Sequence, residues 1–386
     1  MSVTYPRGFA AAATTAGLKP SGTPDLALVH NTGESDAVAA VYTSNRCRAN
    51  PVLWSQQASA DGRARAVVLN SGGANCYTGS FGFETTHATA ERTAELLDID
   101  ALDVLVCSTG LIGVGGQDFR DRILAGLPAL AETAQAAPAG GEAAARAIMT
   151  TDTVPKTVER EGTAYRIGGM AKGAGMLAPG LATMLVVLTT DAVLDASELD
   201  AALRTATARS FDRLDTDGCM STNDTVILMS SGASGHRADT GEFTALLTEA
   251  CDDLTHQLHI DAEGAGHDIV ITTRGAFSEE QALEVSRAVG RSNLFKAAVF
   301  GEDPNWGRVV AQVGITSAQF EPDAIDVTFN GVPVCVASSP GADPSEVLFD
   351  RRVVVEIDLH AGTAEGTILT SDLTHDYVEE NSAYST

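Results

Sequence analysis

Positive charge is scarce in this 386-residue chain: 25 Lys and Arg stand against 51 Asp and Glu, a formal net charge of −26. Nucleic-acid backbones and anionic membrane surfaces are bound through clustered Lys and Arg. A chain this acidic therefore has no electrostatic footprint for nucleic acid and would be repelled by an anionic bilayer. Small molecules or other proteins are the expected ligands. Lysine is the scarcer cation, present only at Lys19, Lys156, Lys172 and Lys296.

Paired cysteines are missing too. Cys47, Cys76, Cys107, Cys219, Cys251 and Cys335 lie far apart with no C-x-x-C spacing, which excludes a zinc ribbon and a thioredoxin-type redox motif. They read as reduced, mostly buried thiols. No continuous apolar stretch of leader length opens the chain, so a cytoplasmic protein is expected. Residues 173 to 190 carry no charge, yet Pro179 and three glycines break the first half of that stretch. Only Met184 to Leu188 is continuously apolar, which is the length of a strand rather than of a membrane span. A loop entering a buried strand at about Thr183 follows.

The remaining apolar fraction, 44% of residues, is enough for sizeable cores, and the length suggests two or three lobes. Val67–Leu69 and Val104–Cys107 are β-rich runs, each opening into a glycine-containing loop, where sites are usually built. Residues 124 to 147, rich in Ala, Gly and Pro, read as a flexible connection or a loosely packed helical pair and are the best linker candidate. Asp195 with Glu198, and Ser278 with Gln281, are helix-start signals. The first predicts a helix from about 196 to 210. Glu242 to Ile260 has similar periodicity, and Thr225–Met229 and Ile269–Thr272 read as strands. Asn330-Gly331 between Ile325–Phe329 and Val332–Val336 is a hairpin signal. Val353–Leu359 with Thr367–Leu369 suggests a second hairpin. Alternation in places and hairpins in others favour a mixed-sheet α+β architecture over a purely doubly wound one.

Several familiar motifs fail on context. Gly173-x-Gly175-x-x-Ala178 has no preceding strand and runs into Pro179, so it is a poor dinucleotide fingerprint. His256, His259, Asp261 and Glu263 could ligate a metal, but no H-E-x-x-H or other third-ligand motif accompanies them, and a solvated helix face explains them as well. Asp215-x-Asp217-Gly218 lacks the later Glu of a calcium loop and reads as a turn.

The informative stretch is Lys172-Gly-Ala-Gly-Met-Leu-Ala-Pro-Gly-Leu-Ala-Thr-Met-Leu185. It is either a glycine-rich turn into a core strand or the approach to an N-terminal nucleophile. A threonine hydroxyl needs a base. Attack of the Thr183 hydroxyl on the Ala182 carbonyl, followed by ester hydrolysis, would free the Thr183 α-amine, whose ordinary pKa of roughly 7.7–8.0 suits it to that role.

This stretch resembles the K-G-x-G-M-x-x-P-x-x-A-T-M-L signature of the glutamate N-acetyltransferase family, also called ornithine acetyltransferases. Further matches follow in order along the chain: Ser108-Thr-Gly-Leu-Ile-Gly113, Ala147-Ile-Met-Thr-Thr-Asp-Thr153, Ser221-Thr-Asn-Asp-Thr225, Asp261-Ala-Glu-Gly264, Gly301-Glu-Asp-Pro-Asn-Trp-Gly-Arg308 and Glu380-Asn-Ser-Ala-Tyr-Ser-Thr386. The terminal Thr386 stands where relatives often carry Ser. Either residue supplies a hydroxyl.

The resemblance implies a four-layer α/β/β/α sandwich built from two fragments, 1–182 and 183–386, produced by self-cleavage between Ala182 and Thr183 and assembled as an (αβ)2 heterotetramer. It implies acetyl transfer from N-acetylornithine to glutamate in arginine biosynthesis, with Thr183 as nucleophile and Thr109 and Gly110 as oxyanion hole. The implied substrate contacts are Thr150, Lys172, Thr183, Glu263, Asn381 and Thr386, with Thr151 the neighbour most easily exchanged for Thr150. Such covalent chemistry requires neither a metal nor an organic cofactor. Acetyl-CoA as a second acetyl donor, a related self-cleaving aminopeptidase in which water replaces glutamate, and a non-catalytic acidic scaffold are the alternatives.

Overall fold

Asp195 accepts from the Glu198 amide at 3.0 Å while the Glu198 carboxylate accepts from the Asp195 amide at 2.9 Å, a reciprocal cap that starts a helix at Ala196. Ser278 caps another by accepting from the Gln281 amide. Both are the helix starts expected from the sequence. The computed structural model describes residues 2–178 and 184–383, which fall into two units. Residues 2–174, 184–212 and 220–258 make unit 1, and residues 175–178, 213–219 and 259–383 make unit 2.

Unit 1 contains, in chain order, β1 (Phe9–Thr14), β2 (Leu26–Asn31), β3 (Val38–Tyr42), α1 (Asn50–Ala58), β4 (Ala66–Ser71), α2 (Gly79–Leu97) and β5 (Val104–Thr109). There follow α3 (Gln117–Thr133), α4 (Pro138–Ala147), β6 (Lys156–Glu161), β7 (Arg166–Lys172), β8 (Leu185–Thr190), α5 (Ala196–Arg209), β9 (Thr225–Ser230) and α6 (Thr240–Ile260), the last counted here up to Leu258. The strands form two sheets, β1-β2-β4-β5 and β3-β9-β8-β7-β6, each mixing parallel and antiparallel pairs. One hydrophobic cluster joins Leu69 and Cys107 of the first sheet to Met170, Val187 and Ile227 of the second. Helices α2 and α3 cover the first sheet, while α5 packs on β3 and Leu254 of α6 lies beside Gly169 of β7. The layer order within unit 1 is thus helix, sheet, sheet, helix. In β8 all six residues are buried, as a central strand covered on both faces requires.

Unit 2 contains β10 (Asp268–Ala276), α7 (Glu279–Gly290), α8 (Asn293–Phe300), α9 (Trp306–Val313), β11 (Asp326–Phe329), β12 (Val332–Val336), β13 (Ser339–Pro340), β14 (Arg352–Asp358), β15 (Ala364–Ser371) and α10 (His375–Ala383). Its six strands are ordered β13-β12-β11-β14-β10-β15, with α7 against β10 and β15. Along β14 burial alternates, Val353, Val355 and Ile357 facing the core that holds Val285 and Val289 of α7. The hairpin around Asn330-Gly331 forms as expected, with both turn residues at positive φ.

Three expectations need correction. A strand does precede Gly173-x-Gly175-x-x-Ala178, because β7 runs to Lys172. Residues 353–359 and 367–369 do not make a hairpin: β10 lies between β14 and β15, parallel to the first and antiparallel to the second. A sequence-remote strand with Ile269 and Ile271 buried in the core takes the central place that a local pairing rule would leave out. Residues 124–147 are not a linker between units. They end α3 and form α4, both inside unit 1. The glycines of α4 serve close packing, because a Cβ at Gly140 would strike the Ala11 carbonyl and one at Gly141 would stand 2.6 Å from Ser2 Oγ. No helix among the described residues is long and apolar enough to cross a membrane.

Candidate active site

The apolar run Val104–Cys107 continues as β5 to Thr109, every residue buried. At its end the Gly73 amide donates to the Thr109 carbonyl at 3.0 Å, and Gly110 turns to φ +130°. A Cβ there would stand 2.5 Å from Gly73 N, so both the close approach and the backbone angle demand glycine. Thr109 is 2% exposed, and its hydroxyl accepts from Lys172 Nζ at 3.3 Å. Lys172 ends β7, is 1% exposed, and pairs in register with Leu185, the first residue of β8 and the second after Thr183.

A buried ammonium needs an anion nearby. Asp152 supplies one. Its Oδ1 accepts from Lys156 Nζ at 2.7 Å and from the Gly173 amide at 2.6 Å, while its Oδ2 accepts from the Thr150 amide at 3.0 Å. Burial pushes this carboxyl up, but Lys172, Lys156 and the Gly173 amide together outweigh burial and hold it below the usual carboxylate range. Lys19 closes the same region, donating to the Met149 and Ala147 carbonyls at 3.0 and 3.4 Å. Burial lowers its pKa, Asp25 and Asp152 pull it back up, and Lys172 adds to the lowering.

The segment before β9 ties these pieces together. Asn223 Nδ2 donates to the Ser108 carbonyl at 2.8 Å and to the Ala74 carbonyl at 2.7 Å, anchoring the loops on either side of Gly110. Asp224 accepts from the Met184 amide at 3.1 Å. Neither Asp152, Asn223 nor Asp224 was singled out from the sequence. Each sits in a stretch of the family pattern, and the i, i+4 spacing of Asp152 and Lys156 was the one local signal for that pair.

In unit 2 the Asn381 amide donates to Glu263 at 3.1 Å, bringing two expected substrate contacts together. Gly175 lies against the same carboxylate, where a Cβ would collide with it. Asp217 accepts from the Met176 amide at 2.7 Å, and the Thr216 amide donates to the Leu177 carbonyl at 2.6 Å. Asp215 accepts from the Gly218 amide at 3.1 Å, the turn read from Asp215-x-Asp217-Gly218. Beneath it Lys296 donates to the Thr216 carbonyl, and burial, opposed by Asp217, Asp215 and Asp372, pushes its pKa down to about 8. His259, expected on a solvated helix face, is instead buried and bonds the Thr370 carbonyl through Nε2 at 2.6 Å.

Thr109, Gly110, Thr150 and Lys172 are therefore placed in unit 1, and Glu263 and Asn381 in unit 2. Ala182, Thr183 and Thr386 lie outside the described residues. A hydroxyl, an ammonium and a glycine peptide at the end of buried strands suit an enzyme whose reaction develops negative charge on a substrate oxygen, as acyl transfer does.

The chain belongs to the ArgJ family, whose model matches residues 10–386. It is 58% identical over the full length of both chains to the arginine biosynthesis bifunctional protein ArgJ of Thermobifida fusca. It is 50% identical to the protein of that name from Mycobacterium tuberculosis, over 99% of this chain and 96% of the relative. Among solved structures, an ornithine acetyltransferase from Mycobacterium tuberculosis complexed with ornithine is 49% identical over 48% of this chain and 96% of that one, with a TM-score of 0.45.

Proposed function

We propose that this ArgJ-family enzyme moves the acetyl group of N-acetyl-L-ornithine to L-glutamate through an acetyl ester on Thr183, after cutting its own chain between Ala182 and Thr183. The observation that carries the reading is the buried Lys172–Thr109 pair at 3.3 Å, built on strand ends in a chain of this family. Thr183 Oγ attacks the acetyl carbonyl, and the Thr183 α-amine takes the hydroxyl proton and returns it to the leaving ornithine nitrogen. The Thr109 hydroxyl and Gly110 amide donate to the oxyanion, donors commonly worth about 3–4 kcal/mol each. Glutamate then attacks the ester and restores Thr183.

In this reading Lys172 meets a substrate carboxylate, Glu263 the side-chain ammonium of ornithine, and Thr150, Asn381 and Thr386 complete the substrate contacts. Fragments 1–182 and 183–386 remain assembled as an (αβ)2 heterotetramer in the cytoplasm, and no metal or organic cofactor takes part. The word "bifunctional" in the names of the relatives favours a second donor, acetyl-CoA, for direct acetylation of glutamate.

A denaturing gel with an acetyl-transfer assay tests the proposal. Wild type should give two fragments, and Thr183→Ala a single chain of 39.9 kDa without transfer. Fragments persisting in Thr183→Ala would assign the cut to another protease. Acetate released in place of N-acetylglutamate would assign the enzyme to the hydrolases.

A further inference from the structure

Lys19, Lys156 and Lys172, three of the four lysines in the chain, gather near the carboxylate of Asp152. Lys156 pairs with it directly, and Lys172 meets Thr109. Lys19 does neither. Its loop, between β1 and β2, is fixed from within. Asp25, fully buried, accepts from the Ala16 amide at 2.6 Å, the Leu18 amide at 2.5 Å and the Lys19 amide at 3.1 Å. The Asp25 carbonyl accepts from the Ser71 amide at 2.9 Å, and a Cβ on Gly72 would stand 2.7 Å from the Leu18 carbonyl oxygen. The base of the Lys19 side chain is thus held against the end of β4.

From there the ammonium donates to the Met149 carbonyl at 3.0 Å and to the Ala147 carbonyl at 3.4 Å. The longer contact is a helix cap, since Ala147 ends α4 and a cation suits the unpaired carbonyls there. That carbonyl already accepts from the Ser71 hydroxyl at 2.6 Å, and Arg146 already places a cation in the last turn. Capping therefore leaves the shorter bond, to Met149, without a reason. The Met149 carbonyl belongs to the peptide that leads into Thr150, and the amide of that same peptide donates to Asp152 Oδ2 at 3.0 Å. One peptide plane is gripped at both ends, its oxygen by an ammonium and its N–H by a carboxylate. Because the peptide is rigid and planar, holding both polar atoms fixes its orientation and the place of the Thr150 Cα. Both bonds are charge-assisted, which makes each about twice as strong as its neutral counterpart.

We propose that Lys19 is a positioning residue for acetyl transfer: it sets the Met149–Thr150 peptide opposite Asp152, so that the Thr150 hydroxyl is held in place for substrate. The inference rests on the acetyl transfer and the Thr150 contact proposed above. Lys19 acts through Thr150 and not on the substrate itself. The ordering of this turn is completed on folding, so binding does not have to supply it.

Lys19→Met keeps the apolar stem and removes both donations. Misplacing a group of a site by about 1 Å can cost ~100-fold, so kcat/KM for N-acetylornithine should fall by about 10–100-fold with the circular dichroism spectrum unchanged. The discriminating measurement is a double-mutant cycle with Thr150→Ala. Losses that pass through one hydroxyl do not multiply, so Lys19→Met should cost less than about 3-fold when added to Thr150→Ala. The same factor lost in both backgrounds would overturn the proposal, because a lysine that only caps α4 is blind to the Thr150 hydroxyl. Wild-type kcat/KM in Lys19→Met would overturn it as well. Should Lys19→Met fail to fold, Lys19→Gln, which keeps a donor, goes through the same cycle with the same criteria. Thr150→Ala with wild-type kinetics would remove the Thr150 contact and the proposal with it. A wild-type enzyme that moves no acetyl group would overturn the functional reading itself, a result distinct from equal losses in both backgrounds.

Discussion

Asp152→Asn isolates what a buried carboxylate contributes to unit 1. Asn keeps the volume and the acceptor for the Gly173 amide but removes the charge that Lys156 faces at 2.7 Å, with both side chains fully buried. Breaking such a pair by neutralising one partner commonly costs 3–5 kcal/mol, because the other charge stays buried. With Lys172 also relying on Asp152, we expect about 3 kcal/mol or more. For a domain of ~150–250 residues, at roughly 2–4 °C per kcal/mol, that lowers Tm by about 6–12 °C. The sign with pH follows from the depressed pKa of Asp152. Its stabilisation is complete above the unfolded-state value of roughly 3.9 and is lost as pH falls through the lower folded-state value. The stability gap between wild type and Asp152→Asn should therefore stay level from about pH 7 to 5 and narrow below about pH 4. Urea titrations at several pH values measure it. A gap under about 1 kcal/mol at pH 7, or one that widens in acid, would refute the reasoning.

Gly110→Ala should fold poorly or lose acetyl transfer. The alanine Cβ meets Gly73 N at 2.5 Å and the φ of +130° is hostile to any side chain, a strain of about 1–3 kcal/mol at the least. Steady-state rates and Tm compared with those of wild type check it, and unchanged values for both would contradict the site geometry. Lys296→Met tests the unit 2 strut. Between about pH 8 and the unfolded lysine value of roughly 10.4, the unfolded chain holds a proton that folded Lys296 has shed. The contribution of this group to stability therefore rises with pH across that window, and the variant should lose the slope. A Met variant with the same pH dependence as wild type in urea titrations would show that Lys296 keeps an ordinary pKa.

Local rules served where the physics is local. The caps at Asp195 and Ser278, the Asn330-Gly331 turn and the apolar runs of β5 and β9 each carry their determinants within a few residues. The errors share the opposite cause. β14 and β15 are separated in space by β10, a strand more than 70 residues earlier in the chain. The glycines of α4 suggested flexibility until their contacts with Ala11 and Ser2 gave them a packing role. Candidate residues divide the same way. Thr109, Gly110 and Lys172 were named because they sit in a recognisable pattern, while nothing near Asn223 in sequence discloses that it holds the Ser108 carbonyl across 115 positions.

The acidity and the lack of cysteine pairs limited by themselves the partners and chemistry this protein can have, because net charge and ligand spacing are properties of composition and order. The helix starts and the tight hairpin were likewise determined by neighbours along the chain. Tertiary structure alone decided that Lys172 meets Thr109, that Asp152 faces the charges of two buried lysines, and that the Asp224 carboxyl accepts from the Met184 amide. Those outcomes depend on desolvation and on charges brought together from distant strands, and neither exists until the strands have packed.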